Sequence, residues 1–528
     1  MSATATTDDR EDRDGADGTA TNGSVRRAAS ALLAPRFGID PRALAAFRIA
    51  VGLVVLGDLL FVRLPGVRAF YTDAGVFPRS TLATLYPPFE SASLHALSGD
   101  AWFQYLLLGV AAVAALSLTV GYRTRIATAV SAILLASLHA RNPLVLNGGD
   151  TILLSLLVLG LFLPLGVRWS VDTMRRAEDA TESRRGTDDD RVLSVATGTI
   201  LVHFVVIYAI NGAVKFQSEA WMDGTATPRI FHLEQYIVWL GPWVANLGTT
   251  LVVANWAWVA LLCGSVLLLV FTDRLRAALA FAFVGCELGL AATMRLGAFP
   301  FVMVAALLLF LPPRIWDRLE AALKTVGGRD PRAVGESIGS RILAVERAAL
   351  PSVPVGRRDV PARTTVRRLG RVTVSVVLVC FLVAVVTWQL AGAGFVDSPT
   401  DVDEIEEASW SFFAPNPPDA YWWYAWEADL EGGETVGTLT DGAGEIDRPP
   451  DAADTYPSVL WKRYGTDLRY GGDAHYEPLA DYRCRRVADD STYDGEPETV
   501  RLYHVEQPVT VDGRVGDPVA DLRLEHDC

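Results

Sequence analysis

The sequence predicts an all-α polytopic membrane protein with about nine spanning helices, followed by a small β-rich domain at the C-terminus. Hydrophobic residues make up 51% of the 528 residues, and mean hydropathy is +0.26. Apolar runs long enough to cross a bilayer recur along the chain. The last part of the chain is acidic and alternates short apolar and polar stretches between Gly and Asp turns, which is typical of strands.

Composition divides the chain into five parts. Residues 1–40 are polar and predict a disordered cytoplasmic tail without a signal peptide. Residues 41–320 contain most of the apolar runs, and 321–370 form an Arg-rich linker that we expect in the cytoplasm. Residues 371–394 predict a last spanning helix, and 396–528 the acidic β-rich domain.

The predicted spans follow from the length of each apolar run. They lie near residues 43–62, 102–121, 126–141, 150–166, 194–214, 251–271, 276–293, 297–313 and 371–394. The stretch from Tyr236 to Thr250 is short and aromatic, so we interpret it as interfacial or re-entrant. Nine spans with a cytoplasmic N-terminus place the main Arg-rich segments inside and the C-terminal domain outside. The expected location is therefore a cell membrane, with the lipid bilayer as the first partner.

The net charge is −14, and lysine is rare beside arginine. Such an acidic, lysine-poor composition is expected of an acidic, salt-adapted proteome, although a GC-rich genome also favours arginine. No basic stripe predicts binding to nucleic acid, and no Cys or His spacing predicts a metal site. If the C-terminal domain faces outward, Cys484 and Cys528 are candidates for a disulfide; two free thiols are the alternative.

Some polar residues fall inside predicted spans, where they are costly. Arg48 and Asp58 lie in the first span, ten residues apart, so we expect each to meet a partner elsewhere in the bundle. Structural polar contacts between helices are the main interpretation, and a proton path is the alternative. Glu287 lies in the seventh span, toward its outer half and near Arg295.

Lys215 lies where the span near residues 194–214 ends. It is either an anchor that reaches the membrane interface or a functional group. The other lysines are Lys324 and Lys462, against dozens of arginines. An arginine would anchor a helix equally well, whereas a lysine can lose its proton when it is desolvated.

A series of short motifs follows in order along the chain. These are Phe47-Arg48, Phe70-Tyr71-Thr72-Asp73-Ala74-Gly75, Gly121-Tyr122-Arg123-Thr124-Arg125, Arg141-Asn142, Asn147-Gly148-Gly149-Asp150, Trp169-Ser170-Val171-Asp172, the segment from Lys215 to Gly224, and Gly297-Ala298-Phe299-Pro300. This order resembles the horizontally transferred transmembrane (HTTM) domain family over about residues 40–320. The closing segment from Trp410 to Pro418 looks like the prokaryotic branch of that family.

The resemblance implies a chemistry. The family includes the vitamin K-dependent gamma-glutamyl carboxylases, in which a lysine deprotonates a quinol. Lys215 matches that lysine, three residues after Gly212, and makes a membrane quinol the candidate cofactor. The carboxylases also have two histidines that assist the reaction. In this chain, the loop around Asn147 occupies the position of one histidine, and Glu287 occupies the position of the other. The family also includes proteins similar to sporulation-delaying protein B, which helps to mature a secreted peptide.

Three functions therefore stay open. The main prediction is an outward-facing polar site around Lys215 that modifies, matures or binds an exported peptide or lipid. The alternatives are a quinol-dependent carboxylase-like enzyme and a structural protein that recruits a partner. The candidate catalytic residues are Lys215 and Glu287, and the candidate substrate-binding residues are Asn142, Asn147, Asp150, Trp221 and Arg295. An enzyme predicts a buried Lys215 beside a cavity, a binding protein predicts an open groove, and a structural protein predicts an exposed Lys215 paired with an acid such as Glu219.

Overall fold

A computed structural model describes residues 31–179, 191–327, 362–397, 412–439, 446, 449 and 456–528. The described part contains a bundle of helices and a smaller domain in which two helices pack on a sheet. The predicted tail up to residue 30 and residues 328–361 of the predicted linker lie outside the described residues. Residues 31–37, at the end of the predicted tail, form a helix.

Eleven longer helices are numbered here in chain order. They are α1 Pro41–Gly57, α2 Ala101–Val120, α3 Thr124–Arg141, α4 Gly148–Gly160, α5 Val171–Asp179, α6 Val195–Phe216, α7 Gly248–Cys263, α8 Asp273–Thr293, α9 Phe299–Leu307, α10 Pro313–Gly327 and α11 Ala362–Gly392. Shorter helices connect them, at Asp58–Arg63, Val67–Phe70, Arg79–Leu85, Pro87–Ala92, Leu94–Leu97, Pro143–Val145, Glu219–Met222, Ala226–Ile230, Glu234–Tyr236, Gly241–Ala245, Gly264–Val266, Leu267–Val270 and Leu308–Phe310.

Within the described residues, six helices are long and apolar enough to span a membrane, or seven if one bent pair is counted as a span. The multi-pass membrane character predicted from the sequence is therefore supported, but the predicted nine spans are not confirmed. The segment near residues 150–166 forms the 13-residue helix α4. The segment near 297–313 continues into α10 through a bend of 104° at Pro312-Pro313, where proline interrupts the helical hydrogen bonds. Helix α3 has 18 residues, but its polar residues lower its hydropathy, and it is not one of the six spanning helices.

Helix α1 ends in a π-helical turn over Asp58–Arg63. Such a turn places residues five apart on one face, so the Arg63 side chain donates to Asp58 over 3.0 Å. Asp58 therefore meets its partner in the turn that continues α1, and not elsewhere in the bundle as expected from the sequence. Arg63 is buried. Arg48 does meet distant groups, because it donates to the carbonyl oxygens of Leu165 and Trp169.

The stretch interpreted as interfacial or re-entrant consists of short helices. Trp239 and Trp243 are each 78% exposed, and α7 begins at Gly248. Exposed tryptophans are common at the level of lipid headgroups.

The C-terminal domain contains strands β1 Ala420–Leu430, β2 Thr435–Gly437, β3 Pro497–Thr510, β4 Gly513–Arg514 and β5 Val519–Asp527, and helices α12 Val459–Leu468 and α13 Asp473–Ala488. The sheet is antiparallel: β1 lies between β2 and β3, and β3 also pairs with β4 and β5. A disulfide joins Cys484 on α13 to Cys528 after β5. The two helices were not predicted, so the domain is mixed rather than only β-rich.

The C-terminal domain packs on one end of the bundle. Phe70 lies edge-to-face with Trp461 on α12, with 4.8 Å between the ring centroids. Arg463 donates to the carbonyl oxygen of Leu146, and Arg295 donates to that of Tyr456. Loops at this end of the bundle therefore contact the C-terminal domain.

Candidate functional site

Lys215 lies in the last turn of α6, at the end of the bundle covered by the C-terminal domain. Helix α6 begins at a capping box formed by Ser194 and Thr197, and it runs for 22 residues through the core. Gly212 permits close packing against α7, because an added Cβ would lie 2.8 Å from the backbone nitrogen of Cys263. The helix end that contains Lys215 is thereby buried, and the Lys215 side chain is 1% exposed.

The amino group of Lys215 contacts neutral partners. Its Nζ donates to Asn211 Oδ1 over 2.8 Å and to the carbonyl oxygen of Phe412. It also lies over the Trp221 ring, 4.4 Å from the centroid. Among the described residues, no carboxylate forms an ion pair with Lys215, and Glu219 is not its partner. The arrangement expected of a purely structural lysine is therefore absent from the described part of the chain.

A cavity of about 380 Å³ lies beside Lys215. Its polar groups come mainly from one face of α6, where Tyr208, Asn211 and Lys215 follow one another at helical spacing. The rest of the lining is apolar and largely aromatic, with Trp221, Phe231, Trp258, Phe299, Phe412 and Phe413 among its side chains. A cavity of this size with few convergent polar groups is typical of small-molecule sites.

The segment that enters the C-terminal domain forms one wall of the cavity. The Trp221 indole donates to the carbonyl oxygen of Phe413 over 2.8 Å, and Phe412 packs on Phe299 with 4.5 Å between ring centroids. Gly148 makes room for this segment, because an added Cβ would lie 2.2 Å from Phe412 Cζ. The site is therefore formed jointly by the bundle and by residues just before β1.

Glu287 lies behind the cavity wall. The Tyr208 hydroxyl donates to Glu287 Oε1 over 2.6 Å, and the carboxyl group is fully buried. The other oxygen, Oε2, has no hydrogen-bond partner in the described part of the chain. The structure thus connects Glu287 to the Lys215 cavity through Tyr208, which lines it.

Asn147 and Asp150 belong to a different arrangement. Asn147 caps α4 by accepting from the backbone nitrogen of Gly149 over 2.7 Å, and Asp150 accepts from that of Asn147 over 2.8 Å. Asp150 also accepts from Arg63 over 2.5 Å, and Arg63 reaches Asp58 and the Tyr71 hydroxyl. Asp150 is therefore part of a buried ion-pair cluster of Asp58, Arg63, Tyr71 and Asp150, outside the Lys215 cavity.

Asn142 and Arg295 also lie outside the lining of the cavity. The Asn142 side chain donates to the carbonyl oxygen of Phe70 over 2.9 Å, and it caps the turn that begins at Pro143. Arg295 holds the C-terminal domain through Tyr456. Of the predicted substrate-binding residues, the structure brings only Trp221 into the cavity with Lys215.

A second buried lysine lies close by. Lys462, on α12, is 8% exposed, and its Nζ lies 4.3 Å from the centroid of Tyr236. The Tyr236 ring packs edge-to-face on Phe413, which lines the cavity. Burial lowers the pKa of Lys462 to about 7, and the nearby charges of Arg463 and Arg295 add to this effect.

Sequence reasoning missed several cavity residues. Tyr208 and Asn211 lie seven and four residues before Lys215, so helical spacing was a signal that could have found them. The contact with Phe412 spans 197 residues of sequence and had no local signal.

Of the comparisons with known proteins, the one with family models found a match. No curated protein and no solved structure is significantly similar to the chain. The family model of the HTTM domain matches residues 38–316, from the start of α1 to α10. This match covers more than half of the chain and includes Lys215 and Trp221. The protein therefore belongs to the HTTM domain family.

Proposed function

We propose that this membrane protein binds a membrane-soluble quinol in the cavity beside Lys215, and that Lys215 accepts a proton from its hydroxyl group. The observation behind the proposal is a buried lysine with neutral partners at the edge of an aromatic-lined cavity. Flat rings stack well on aromatic side chains, and a hydroxyl group needs a polar partner when it is buried.

The contacts of Lys215 suit a base. A neutral amine has two N–H donors and one lone pair. Asn211 Oδ1 and the carbonyl oxygen of Phe412 can accept both donors, which leaves the lone pair for the hydroxyl group of a ligand. Proton transfer would give an ammonium group and a quinolate anion side by side, away from bulk water, where their attraction is strong.

Glu287 and Tyr208 would take a supporting role. Tyr208 lines the cavity, and its hydroxyl donates to Glu287 Oε1 over 2.6 Å. This pair can orient a ring hydroxyl or relay a proton away from it. Glu287 does not line the cavity, so we assign it to positioning rather than to contact with the ligand.

The size and the aromatic lining of the cavity favour a small molecule over an exported peptide. Phe412 and Phe413 line the cavity, and their carbonyl oxygens accept hydrogen bonds from Lys215 and Trp221. A peptide would have to displace this segment. We therefore rank the quinol-binding enzyme above the peptide or lipid maturation role that the sequence favoured, and above a purely structural role.

We place the cavity toward the outer face of the membrane. Arginines gather at the opposite end of the bundle, where Arg191 and Arg276 both donate to the carbonyl oxygen of Pro35, and the positive-inside rule assigns such an end to the cytoplasm. A cysteine introduced by Asp512→Cys, in an exposed turn, should react with an impermeant thiol reagent on intact cells. A cysteine introduced by Arg318→Cys should not. The reverse pattern would contradict this orientation.

Photocross-linking tests the site. The purified protein is illuminated with a photoreactive naphthoquinol analogue and its labelled peptides are mapped. We expect label in the peptides that contain Trp221 and Phe412, removed by excess unmodified naphthoquinol. Label confined to the exposed tryptophans, Trp239 and Trp243, would show non-specific adsorption and contradict the proposal.

A further inference from the structure

A second cavity, of about 700 Å³, lies where the turn at residues 121–123 joins α2 to α3. Helix α3 begins at this cavity with Thr124 and contains 18 residues, and it ends next to the Pro143–Val145 turn that contacts α12. At 1.5 Å per residue, these two ends are about 27 Å apart. The cavity therefore lies at the end of the bundle opposite to Lys215 and the C-terminal domain.

The lining of this cavity is strongly basic. Four arginines line it, namely Arg123, Arg125, Arg175 and Arg176, in a chain whose net charge is −14. Asp172 is the acidic residue of the lining, and its carboxylate closes the turn. It accepts from the backbone nitrogens of Arg123 and Thr124 over 2.9 and 2.8 Å, and from the Thr124 hydroxyl over 2.7 Å.

One wall of the cavity is apolar and reaches the surface of the bundle. Ile126, Leu163 and Pro164 line it, and Ile126 is 58% exposed on a helix of the bundle. Trp169 is also exposed nearby and lies edge-to-face with Trp316, with 6.1 Å between ring centroids. Basic groups, an exposed aliphatic wall and a partly exposed tryptophan together are typical of the level where lipid headgroups meet acyl chains.

We propose that this cavity binds a phosphate group, supplied by the headgroup of an anionic phospholipid whose acyl chain lies along Ile126. Guanidinium groups bind phosphate oxygens in a bidentate manner, and basic pockets between membrane helices bind anionic headgroups. The apolar wall distinguishes a lipid from a free phosphate compound, which would leave Ile126 without a partner. Phospholipid binding at this end is independent of what the Lys215 cavity binds.

The test uses the full-length protein in detergent, with added phosphatidylglycerol, phosphatidylcholine or inorganic phosphate. Thermal unfolding and native mass spectrometry report stabilisation and retained lipid. The double variant Arg125→Gln with Arg176→Gln removes two of the lining charges. The matched control is Arg274→Gln with Arg318→Gln, which removes two exposed arginines from the same end of the bundle but outside the cavity.

We expect phosphatidylglycerol to bind more tightly than phosphatidylcholine. The lining variant should bind it at least about tenfold more weakly, since two basic groups that attract the anionic headgroup are lost. The control variant should bind like the wild type. Equal binding of the two lipids, or equal loss in both variants, would overturn the proposal. Equal stabilisation by inorganic phosphate at the same concentration would overturn the assignment to a lipid. Unfolding of each variant in phosphatidylcholine alone shows whether the substitutions themselves disturb the fold.

Discussion

Replacing Arg63 by methionine should destabilise the bundle strongly. Arg63 is the cation between two buried carboxylates: it donates to Asp58 over 3.0 Å and to Asp150 over 2.5 Å. The three side chains are 1%, 3% and 2% exposed. Without Arg63, Asp58 would be left without a cation in a desolvated site, and Asp150 would keep only the His139 ring, 4.0 Å away.

The magnitude follows from this burial. Removing one partner from a buried ion pair costs about 3–5 kcal/mol, because the other charge stays desolvated. The control is Arg79→Gln, which breaks a pair with Asp73 at 2.8 Å whose side chains are 39% and 41% exposed. An exposed pair contributes about 0–1 kcal/mol. The Arg63 variant should therefore lose at least about 2 kcal/mol more than the control.

Denaturant titration of the purified protein in mixed micelles measures both losses, from the midpoint and the slope of the transition. A triple variant that combines Arg63→Met with Asp58→Asn and Asp150→Asn should recover part of the loss, since it removes the charges together. An Arg63→Met variant no less stable than Arg79→Gln would refute the reasoning, as would a triple variant less stable than Arg63→Met.

Two further predictions concern the C-terminal domain. Cys528→Ser removes the disulfide to Cys484, so it should destabilise this domain by about 2–4 kcal/mol and speed its proteolysis. The control Cys380→Ser, which removes a free cysteine, should do neither. Equal proteolysis of both variants would contradict the prediction. Lys462 has a pKa of about 7 in the folded chain against an ordinary value of 10.5, so between these values the unfolded chain binds more protons and stability rises with pH. Lys462→Met should remove that rise in unfolding experiments between pH 7 and 10, and an unchanged slope would show that Lys462 does not cause it.

The sequence predicted the features that depend on local composition. The spans that contain Arg48 and Lys215 are long apolar runs, and the structure forms helices there. The motif order predicted the family, which the match over residues 38–316 confirms. Lys215 stood out because a single ionisable residue ends an apolar helix, a signal that needs no knowledge of the fold.

Features that depend on tertiary contacts or irregular backbone were not predictable. The π-helical turn that joins Asp58 to Arg63 has no sequence signature, so the pairing of these two residues was not predicted. Gly465 lies inside α12 and Pro478 inside α13, and both residues usually mark turns, which concealed these helices. Phe412 lines the cavity because the segment before β1 packs against the end of α6, and these two parts of the chain are far apart in sequence.

The most direct test of the central claim is the affinity of the protein for a naphthoquinol and for the matching quinone. Both are measured anaerobically with wild type, Lys215→Met and the control Lys324→Met, whose lysine is exposed. If Lys215 accepts the hydroxyl proton, Lys215→Met should weaken quinol binding about 10–100-fold, as expected for loss of a hydrogen bond to a charged group. Quinone binding should change less, since the quinone has no hydroxyl to donate, and the control should match wild type. Equal quinol affinity in wild type and Lys215→Met would contradict the account.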